Sequence, residues 1–292
     1  MLEAIAILGS TFLFINFITI MEFQRGIISA DLYYMSDGDY YFLGIKTQFT
    51  TMMFPTIAAA GALFFNEKNK KNIFLFLTAV IVCLMNIFSK QISTPTVGII
   101  IIIIGFGLGN VMKTVWKSTW LFLISLLLQL GIVFFNIQIY FSDFIANVLH
   151  KDTTLSARTN IWLSAKKILK EESLFRLIFG NGMNKLNTFV PYAGTYWQPH
   201  NQLLVWIHSS GIIGAVVIVL FLIKLTNKKI KNIKVQLFLV MICSVELFLS
   251  VTEVYFDVAI CFVPYFVMFY ITKHEQKYDN KIEKITNLQH FV

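Results

Sequence analysis

A histidine suited to proton transfer lies where a polar segment of the chain turns into a strongly apolar run. In "TYWQPHNQLLVWIHSSGIIG", residues 195–214, Pro199 comes directly before His200 and Asn201. We expect His200 in the first turn of a membrane-spanning helix, where the partial positive charge of the helix N-terminus disfavours a protonated imidazole. A neutral imidazole accepts a proton from a hydroxyl near pH 7, which makes His200 a candidate general base. The alternative is that His200 and Asn201 only cap the helix among lipid headgroups.

An arginine suited to binding phosphate precedes this histidine in the same polar segment. Arg158 lies in "SARTNIW", residues 156–162, at or near the start of a predicted helix. The planar guanidinium donates two parallel hydrogen bonds to phosphate oxygens, which makes Arg158 a candidate for holding a phosphate group. The alternative is an ordinary surface arginine in contact with water and headgroups.

The composition indicates that membrane-spanning helices position these two side chains. The chain has 292 residues, of which 57% are hydrophobic and 14% are charged. Apolar runs of about 17–24 residues recur, and as helices they are long enough to cross a hydrocarbon core of roughly 30 Å. We predict an all-α fold, a polytopic transmembrane helix bundle of about eight spans with one large, partly helical extracytoplasmic loop. The predicted spans are residues 4–21, 43–65, 72–88, 95–112, 118–141, 201–223, 235–251 and 255–272.

The distribution of lysines predicts the orientation of these spans. If every run crosses the membrane, residues 66–72, 113–117, 224–234 and 273–292 lie on one side, and their basic residues number 14 of the 24 in the chain. The positive-inside rule makes that side cytoplasmic, so both termini are predicted to be cytoplasmic in a multi-pass membrane protein. The net charge of +8 is then explained by lysines in cytoplasmic loops, which set the orientation of the spans. No nucleic-acid partner is predicted.

The longest outer connection, residues 142–200, is predicted to contain an amphipathic helix on the membrane surface or over the bundle. Ile161, Ala165, Ile168 and Leu169 fall near one face of that helix. The chain is therefore divided into N-terminal spans (1–141), this extracytoplasmic loop (142–200), C-terminal spans (201–272) and a basic cytoplasmic tail (273–292).

Glycines mark two further places in this region. The "GNG" at residues 180–182 is predicted to end the helix of the loop. Gly211 and Gly214, three residues apart in the sixth span, are predicted to form a smooth face for close helix packing.

Other polar residues are predicted near the same outer surface. His208 lies two turns after His200, and a polar group at that depth is expected to face the bundle interior or a wet cavity. Glu253 lies near the outer turn between the last two spans, either in the site or in the headgroup layer. Arg25, on the outer side, either assists phosphate binding or anchors the first span.

Part of the chain resembles the O-antigen polymerase and ligase superfamily of membrane glycosyltransferases. Its members share many spans, one large extracytoplasmic loop with an Arg near its start, and a His-Asn pair that opens the next span. The resemblance is specific over residues 156–214 and rests mainly on hydropathy over residues 43–141. The matching residues are Ser156, Ala157, Arg158, Trp162, Ala165, Gly180, Asn181, Gly182, His200, Asn201, Gly211 and Gly214. In "FSKQIS", residues 88–93, Lys90 stands where the family has Arg. A lysine keeps the positive charge but cannot donate the two parallel hydrogen bonds of a guanidinium.

The resemblance implies glycosyl transfer at the outer face of the bacterial cytoplasmic membrane. The donor would be a glycan on a polyprenyl diphosphate, the acceptor another glycan, and a chain-length regulator a further partner besides membrane lipid. His200 as base and Arg158 as diphosphate ligand are predicted to be catalytic. The predicted substrate-binding residues are Lys90, Asn201, Arg25, His208 and Glu253. The reaction needs no cofactor, and the scattered carboxylates predict no metal site.

The sequence is compatible with three activities. A polymerase joins lipid-linked repeat units, and a ligase passes the finished chain to another acceptor; we favour the polymerase by analogy. From a different class, a polysaccharide transporter or lipid flippase predicts broken helices or polar residues at mid-membrane, such as Glu246.

Overall fold

A computed structural model describes residues 1–28, 39–108, 118–147, 158–182, 188–192 and 194–289 of the chain. The chain divides into two compact units. Unit 1 consists of Met1–Ser118, Lys224–Cys243 and Val258–Val292, and unit 2 consists of Thr119–Ile223 and Ser244–Asp257. Arg158 and His200 both belong to unit 2, whereas Ser156 and Ala157 lie outside the described residues.

The described residues are mostly helical. The helices are α1 (Leu2–Glu22), α2 (Thr50–Asn66), α3 (Lys70–Lys90), α4 (Ser93–Leu108), α5 (Ser118–Phe135), α6 (Ser142–Asn147), α7 (Arg158–Glu171), α8 (Leu174–Phe179), α9 (Gln202–Thr226), α10 (Ile233–Leu249) and α11 (Val263–Gln289). Short 3-10 segments are Lys46–Phe49, Ile137–Phe141 and Ala259–Phe262. Two strands, β1 (Val190–Tyr192) and β2 (Thr195–Trp197), pair antiparallel with Val190 opposite Trp197.

Four helical stretches in the described residues are long and apolar enough to cross a membrane: Leu2–Glu22, Lys46–Asn66, Lys70–Lys90 and Gln202–Thr226. This confirms the prediction of a mostly helical chain with membrane-spanning helices in its coarse form. α4 and α5 contribute shorter apolar stretches, Ser93–Gly105 and Leu123–Phe135. The count of eight spans and their orientation stay predictions.

The end of the chain differs from the expected layout. The apolar run at 255–272 becomes α-helical only at Val263, because residues 250–262 form an irregular segment that ends in a 3-10 turn. α11 then continues to Gln289, so most of the predicted tail is helical. The β1–β2 hairpin was not predicted, although Gly194, with a φ of +82°, provides the left-handed residue that its turn needs.

Small residues bring the first three helices of unit 1 close together. Ala6 of α1, Ala59 and Ala60 of α2, and Ala79 of α3 form one buried cluster. A Cβ atom at Gly9 would collide with the side chain of Thr56. The missing side-chain volume lets the helix backbones approach, which is the packing expected between helices in lipid.

A pair of buried asparagines links α1 and α3 within this unit. Asn16 donates from Nδ2 to Asn86 Oδ1 over 2.8 Å, and both side chains are fully buried. Asn86 Nδ2 donates to the carbonyl of Leu13 at 2.9 Å, and Asn16 Oδ1 accepts from the amide of Leu43 at 2.7 Å. The polar groups therefore satisfy one another where water is absent.

The core of unit 2 forms around α7. Its buried face carries Ile161, Trp162, Ala165 and Leu169, which confirms the predicted apolar face except at Ile168, which is only half-buried. These side chains pack with residues of α5, β1, α9 and the segment after α10: Val133, Val190, Leu204 and Val251. The helix thus covers other helices of its own unit with its apolar side.

α7 and α8 replace the single helix expected in the outer loop. α7 ends at Glu171, and α8 begins after Ser173, whose hydroxyl caps it by accepting from the amide of Arg176 at 3.4 Å. α8 ends at Gly180, which has a φ of +87°. The predicted role of the GNG segment in ending the helix is confirmed.

Candidate functional site

Arg158, His200 and Glu253 converge in unit 2. Arg158 Nη2 lies 2.5 Å from Glu253 Oε1, and His200 Nδ1 lies 4.0 Å from Glu253 Oε2. The three side chains keep 20%, 19% and 10% of their surface exposed, respectively. Partial burial strengthens charge interactions while leaving the groups open to a ligand.

Burial and the guanidinium of Arg158 lower the pKa of His200 to about 4, from an ordinary value of 6.5. The imidazole is therefore neutral at pH 7, as the sequence predicted. The cause differs from the expected one: the main contribution is desolvation, and the second is the positive charge of Arg158.

His200 is not in the first turn of α9, contrary to our prediction. It precedes the helix with a φ of +48°, in the left-handed region that few non-glycine residues adopt. The cap of the helix is Asn201, whose Oδ1 accepts from the amide of Leu204 at 2.9 Å. Asn201 Nδ2 also donates to the carbonyl of Val251 at 3.0 Å. The capping alternative thus holds for Asn201, and its predicted contact with substrate stays a prediction.

The segment that carries Glu253 is held against the start of α9 by Gln202, a residue the prediction did not single out. Gln202 Oε1 accepts from the amide of Phe256 at 2.9 Å, and its Nε2 donates to Asp257 Oδ1 at 3.3 Å. The amide of Gln202 donates to the carbonyl of Ser250 at 3.0 Å. Because Gln202 is fully buried, these bonds fix the position of residues 250–257. Two consecutive amide side chains at the start of an apolar run were the available signal.

Trp162 ties α7 to the residue before His200. Its indole Nε1 donates to the carbonyl of Pro199 at 2.9 Å, and the side chain is 1% exposed. Trp162 follows Arg158 by one helical turn. Its buried ring therefore connects the helix that carries Arg158 to the segment that carries His200. The sequence indicated Trp162 only through the family resemblance.

Gly211 breaks α9 and does not form part of a smooth helical face, which corrects the prediction. Its φ of +69° and ψ of 178° lie outside the helical region. The carbonyls of His208 and Ser209 accept instead from the amides of Asn181 and Gly182, at 2.8 and 2.9 Å. The GNG segment therefore satisfies backbone groups that the break leaves without a helical partner.

His208 lies in α9, about 9 Å along the helix from its first residue at ~1.5 Å per residue. Its ring stacks on the ring of Phe189, with 3.7 Å between the centroids and 1° between the planes. It is half-buried, as expected for a polar group at that depth. A contact between His208 and substrate stays a prediction.

Lys90 and Arg25 belong to unit 1. Lys90 Nζ donates to the carbonyl of Gln24 at 3.2 Å and lies 4.4 Å from the centre of the Tyr41 ring. The Tyr41 hydroxyl donates to the same carbonyl at 3.1 Å. Arg25 follows Gln24 and is exposed. The structure thus places these two cations at one end of unit 1.

Glu246 lies in α10 with 2% of its surface exposed. In the described part of the chain, its Oε2 has no hydrogen-bond partner. A buried carboxyl at such a place is a functional candidate by default. Among the described residues, no group of three or more His, Cys, Asp and Glu side chains is placed to hold a metal ion.

The geometry of unit 2 stands without support from known proteins. The chain matches no protein-family model, no curated protein and no solved structure. The resemblance to the O-antigen polymerase and ligase superfamily therefore stays a prediction from the residues named above.

Proposed function

We propose that the chain is a membrane glycosyltransferase that polymerises polyprenyl-diphosphate-linked oligosaccharide repeat units on the outer face of the cytoplasmic membrane. The observation that supports this most directly is the convergence of Arg158 and His200 on Glu253. A group suited to phosphate and a neutral proton acceptor then stand side by side, next to a helix long and apolar enough to cross a membrane.

The chemistry needs only these two kinds of group. A hydroxyl of the acceptor sugar attacks the anomeric carbon of the donor glycan, and the bond from that carbon to the diphosphate oxygen breaks. The diphosphate leaves with the electron pair, and Arg158 stabilises the charge that develops on it. His200 takes the hydroxyl proton. Because diphosphate is a good leaving group, the proposed reaction is independent of metal and cofactor.

The remaining predicted ligands take supporting roles in this proposal. Lys90 and Arg25 belong to unit 1, and their role as substrate-binding cations stays a prediction. Asn201, His208 and Glu253 belong to unit 2, and Glu253 acts there through Arg158 and His200.

Deleting the gene and separating the lipid-linked glycans on a gel tests the proposal. Accumulated single repeat units on polyprenyl lipid are the expected result. Long chains stranded on polyprenyl lipid would instead identify a ligase that transfers finished glycan to another acceptor. Repeat units trapped on the cytoplasmic leaflet would identify a flippase.

Variants of the two catalytic candidates sharpen this test. We expect His200→Ala to slow chain growth by about 10²–10⁴-fold, the usual contribution of a general base. Arg158→Ala is expected to cost about 10²–10³-fold, as for other groups that stabilise transition-state charge. Matched controls are His274→Ala and Arg176→Ala, which remove exposed side chains. Normal chain growth in both catalytic variants, at normal protein levels, would contradict the proposal.

A transporter or flippase is the second candidate, and the break in α9 favours it. Interrupted membrane helices are a feature of transporter binding sites, and Gly211 interrupts a helix that can span the membrane. This candidate predicts that Glu246→Gln and Glu246→Ala abolish function while His200→Ala is tolerated. The glycosyltransferase predicts the reverse order of sensitivity.

A further inference from the structure

Glu253 has a different relation to Arg158 and to His200. Its Oε1 is ion-paired with Arg158 at 2.5 Å, whereas its Oε2 stands 4.0 Å from His200 Nδ1, too far for a hydrogen bond. His200 Nδ1 is buried and, within the described residues, has no hydrogen-bond partner. A buried nitrogen left without a partner beside a carboxylate calls for an explanation, since such groups are costly.

Neighbouring side chains hold Glu253 Oε2 and His200 Nδ1 close together without a hydrogen bond between them. Gln202 and Asn201 fix the segment of Glu253, and Trp162 fixes the carbonyl of Pro199 next to His200. A movement of the carboxylate by about 1 Å would bring Oε2 within the 2.7–3.2 Å range of a hydrogen bond to Nδ1. The ion pair with Arg158 holds the carboxylate in its present place.

We propose that Glu253 is a positioning residue that couples binding of the donor diphosphate to proton transfer at His200. This inference rests on the proposed function. Arg158 turns from Glu253 to the diphosphate of the donor. The Glu253 carboxylate then accepts a hydrogen bond from Nδ1–H of His200, which orients the ring with Nε2 towards the acceptor hydroxyl.

The proton balance of the step follows from this exchange. The acceptor hydroxyl gives its proton to His200 Nε2 as its oxygen bonds to the anomeric carbon, and the leaving diphosphate takes the electron pair. Nδ1–H stays on the ring and is hydrogen-bonded to Glu253, which stabilises the imidazolium. When the diphosphate departs, Arg158 returns to Glu253, and the imidazolium loses its proton to water.

The charges around His200 determine whether donor binding raises or lowers its pKa. Among the described residues, the charged groups placed at His200 are Arg158 on α7 and Glu253. Asp257, on the same segment as Glu253, contacts Gln202. In the structure, burial and then Arg158 lower the pKa of His200 to about 4. Moving the guanidinium onto a phosphate and the carboxylate onto Nδ1 both favour the protonated ring, so both raise this pKa. His200 thus accepts a proton readily only when the donor is bound.

Nitrogen-15 NMR of the histidine side chains tests the coupling directly, with the purified full chain in lipid nanodiscs and inorganic diphosphate as the probe. The chain has five histidines, and the His200 signal is the one that disappears in His200→Asn. We expect saturating diphosphate to raise the titration midpoint of His200 by about one unit or more, the usual effect of a carboxylate within 4–6 Å. In Glu253→Gln the rise should be clearly smaller, because only the neutralisation of Arg158 remains. An equal rise in both proteins, or none while diphosphate binds, would overturn the inference and leave the proposed function standing.

A second variant examines the coupling without any ligand. Arg158→Gln removes the ion pair with Glu253, so the titration midpoint of His200 should rise without diphosphate. The double variant Arg158→Gln with Glu253→Gln should lose most of this rise, which separates the carboxylate from the simple loss of positive charge. Equal midpoints in the single and double variants would refute the role of Glu253, whatever the fold of Glu253→Gln alone. Failure of diphosphate to bind the wild type would instead count against the anion site and hence against the proposed function.

Steady-state kinetics supplies a readout that a merely structural role would not change. In a plot against pH, the fall of kcat on the acid side gives the pKa of His200 with donor bound. The fall of kcat/KM for the donor gives its pKa in the free enzyme. In the wild type, we expect kcat to fall at a higher pH than kcat/KM. In Glu253→Gln, the two pH values should lie closer together. Unchanged separation of the two pH values in Glu253→Gln would contradict the coupling.

Discussion

Gly180 and Gly211 meet backbone to backbone in unit 2. A Cβ atom on Gly180 would collide with the carbonyl of Ser209, and one on Gly211 would collide with the carbonyl of Ile178. Both glycines have positive φ angles, +87° and +69°. The end of α8 and the break in α9 therefore depend on each other, since neither close approach tolerates a side chain.

Replacing Gly211 by alanine should destabilise unit 2 strongly. The φ of +69° and ψ of 178° at Gly211 lie in a region that is essentially restricted to glycine and costs other residues roughly 1–3 kcal/mol, and the collision with Ile178 adds to it. We expect a total loss of about 3 kcal/mol or more in thermal unfolding of the nanodisc-embedded chain. Gly182→Ala is the matched control, because Gly182 also has a positive φ but open space around its Cβ position. Similar losses at the two positions would contradict the backbone contact.

Stability should depend on pH through His200. The folded pKa of about 4 lies below the ordinary value of 6.5, so between these values the unfolded chain binds a proton that the folded chain does not. The contribution of His200 to the unfolding free energy is therefore complete above pH 6.5. It decreases as the pH falls towards 4, by up to about 3 kcal/mol. The measurement is the difference in unfolding free energy between wild type and His200→Asn across pH 4–7. Asparagine tolerates the positive φ and does not titrate, so a difference independent of pH would contradict the prediction.

The indole of Trp162 should matter for its hydrogen bond as well as for its volume. Trp162→Phe removes the donor to Pro199 and leaves a buried carbonyl without that partner, at a cost of about 1–3 kcal/mol. Because Pro199 precedes His200, we also expect the proposed glycosyl transfer to be slower. The control is Trp120→Phe, since Trp120 is 59% exposed. Equal stability and activity in the two variants would show that the bond does not position His200.

The asparagine pair of unit 1 should act as a unit. Asn16→Ala leaves Asn86 Oδ1 and the amide of Leu43 without their partner and should cost about 1–3 kcal/mol. Asn86→Ala should cost a similar amount. The double variant should lose clearly less than the sum of the two single losses, because each single change already breaks the shared bond. Additive losses in a double-mutant cycle of thermal unfolding would contradict the coupling.

Much of the fold follows from local patterns along the chain. Long apolar runs predict helices because unpaired backbone groups are too costly in lipid, and α1, α2, α3 and α9 agree with that prediction. The 3.6-residue spacing of apolar residues in α7 predicts its buried face for a similarly local reason. The β1–β2 hairpin was missed because two strands of three residues carry too short a pattern to detect.

The site could be predicted only in part. The neutral state of His200 was expected, but its cause was assigned to a helix N-terminus that begins at Gln202, after the histidine. The role of Gly211 was assigned to helix packing, because a glycine pattern does not reveal whether φ is negative or positive. The clamp formed by Gln202 involves residues 250–257, and contacts over that separation leave no periodic trace in the sequence.

The sequence by itself determined which residue types are present and where helices can form. Hydrophobic length, helical periodicity and glycine placement act over a few residues, so they can be deduced from the chain alone. Only the tertiary structure decided that Arg158 and Glu253, 95 residues apart, form an ion pair with His200 Nδ1 standing 4.0 Å from the same carboxylate. The physical reason is that distances of 2.5 to 4 Å between such groups, and the burial that shifts the pKa of His200, arise only when separate segments pack together.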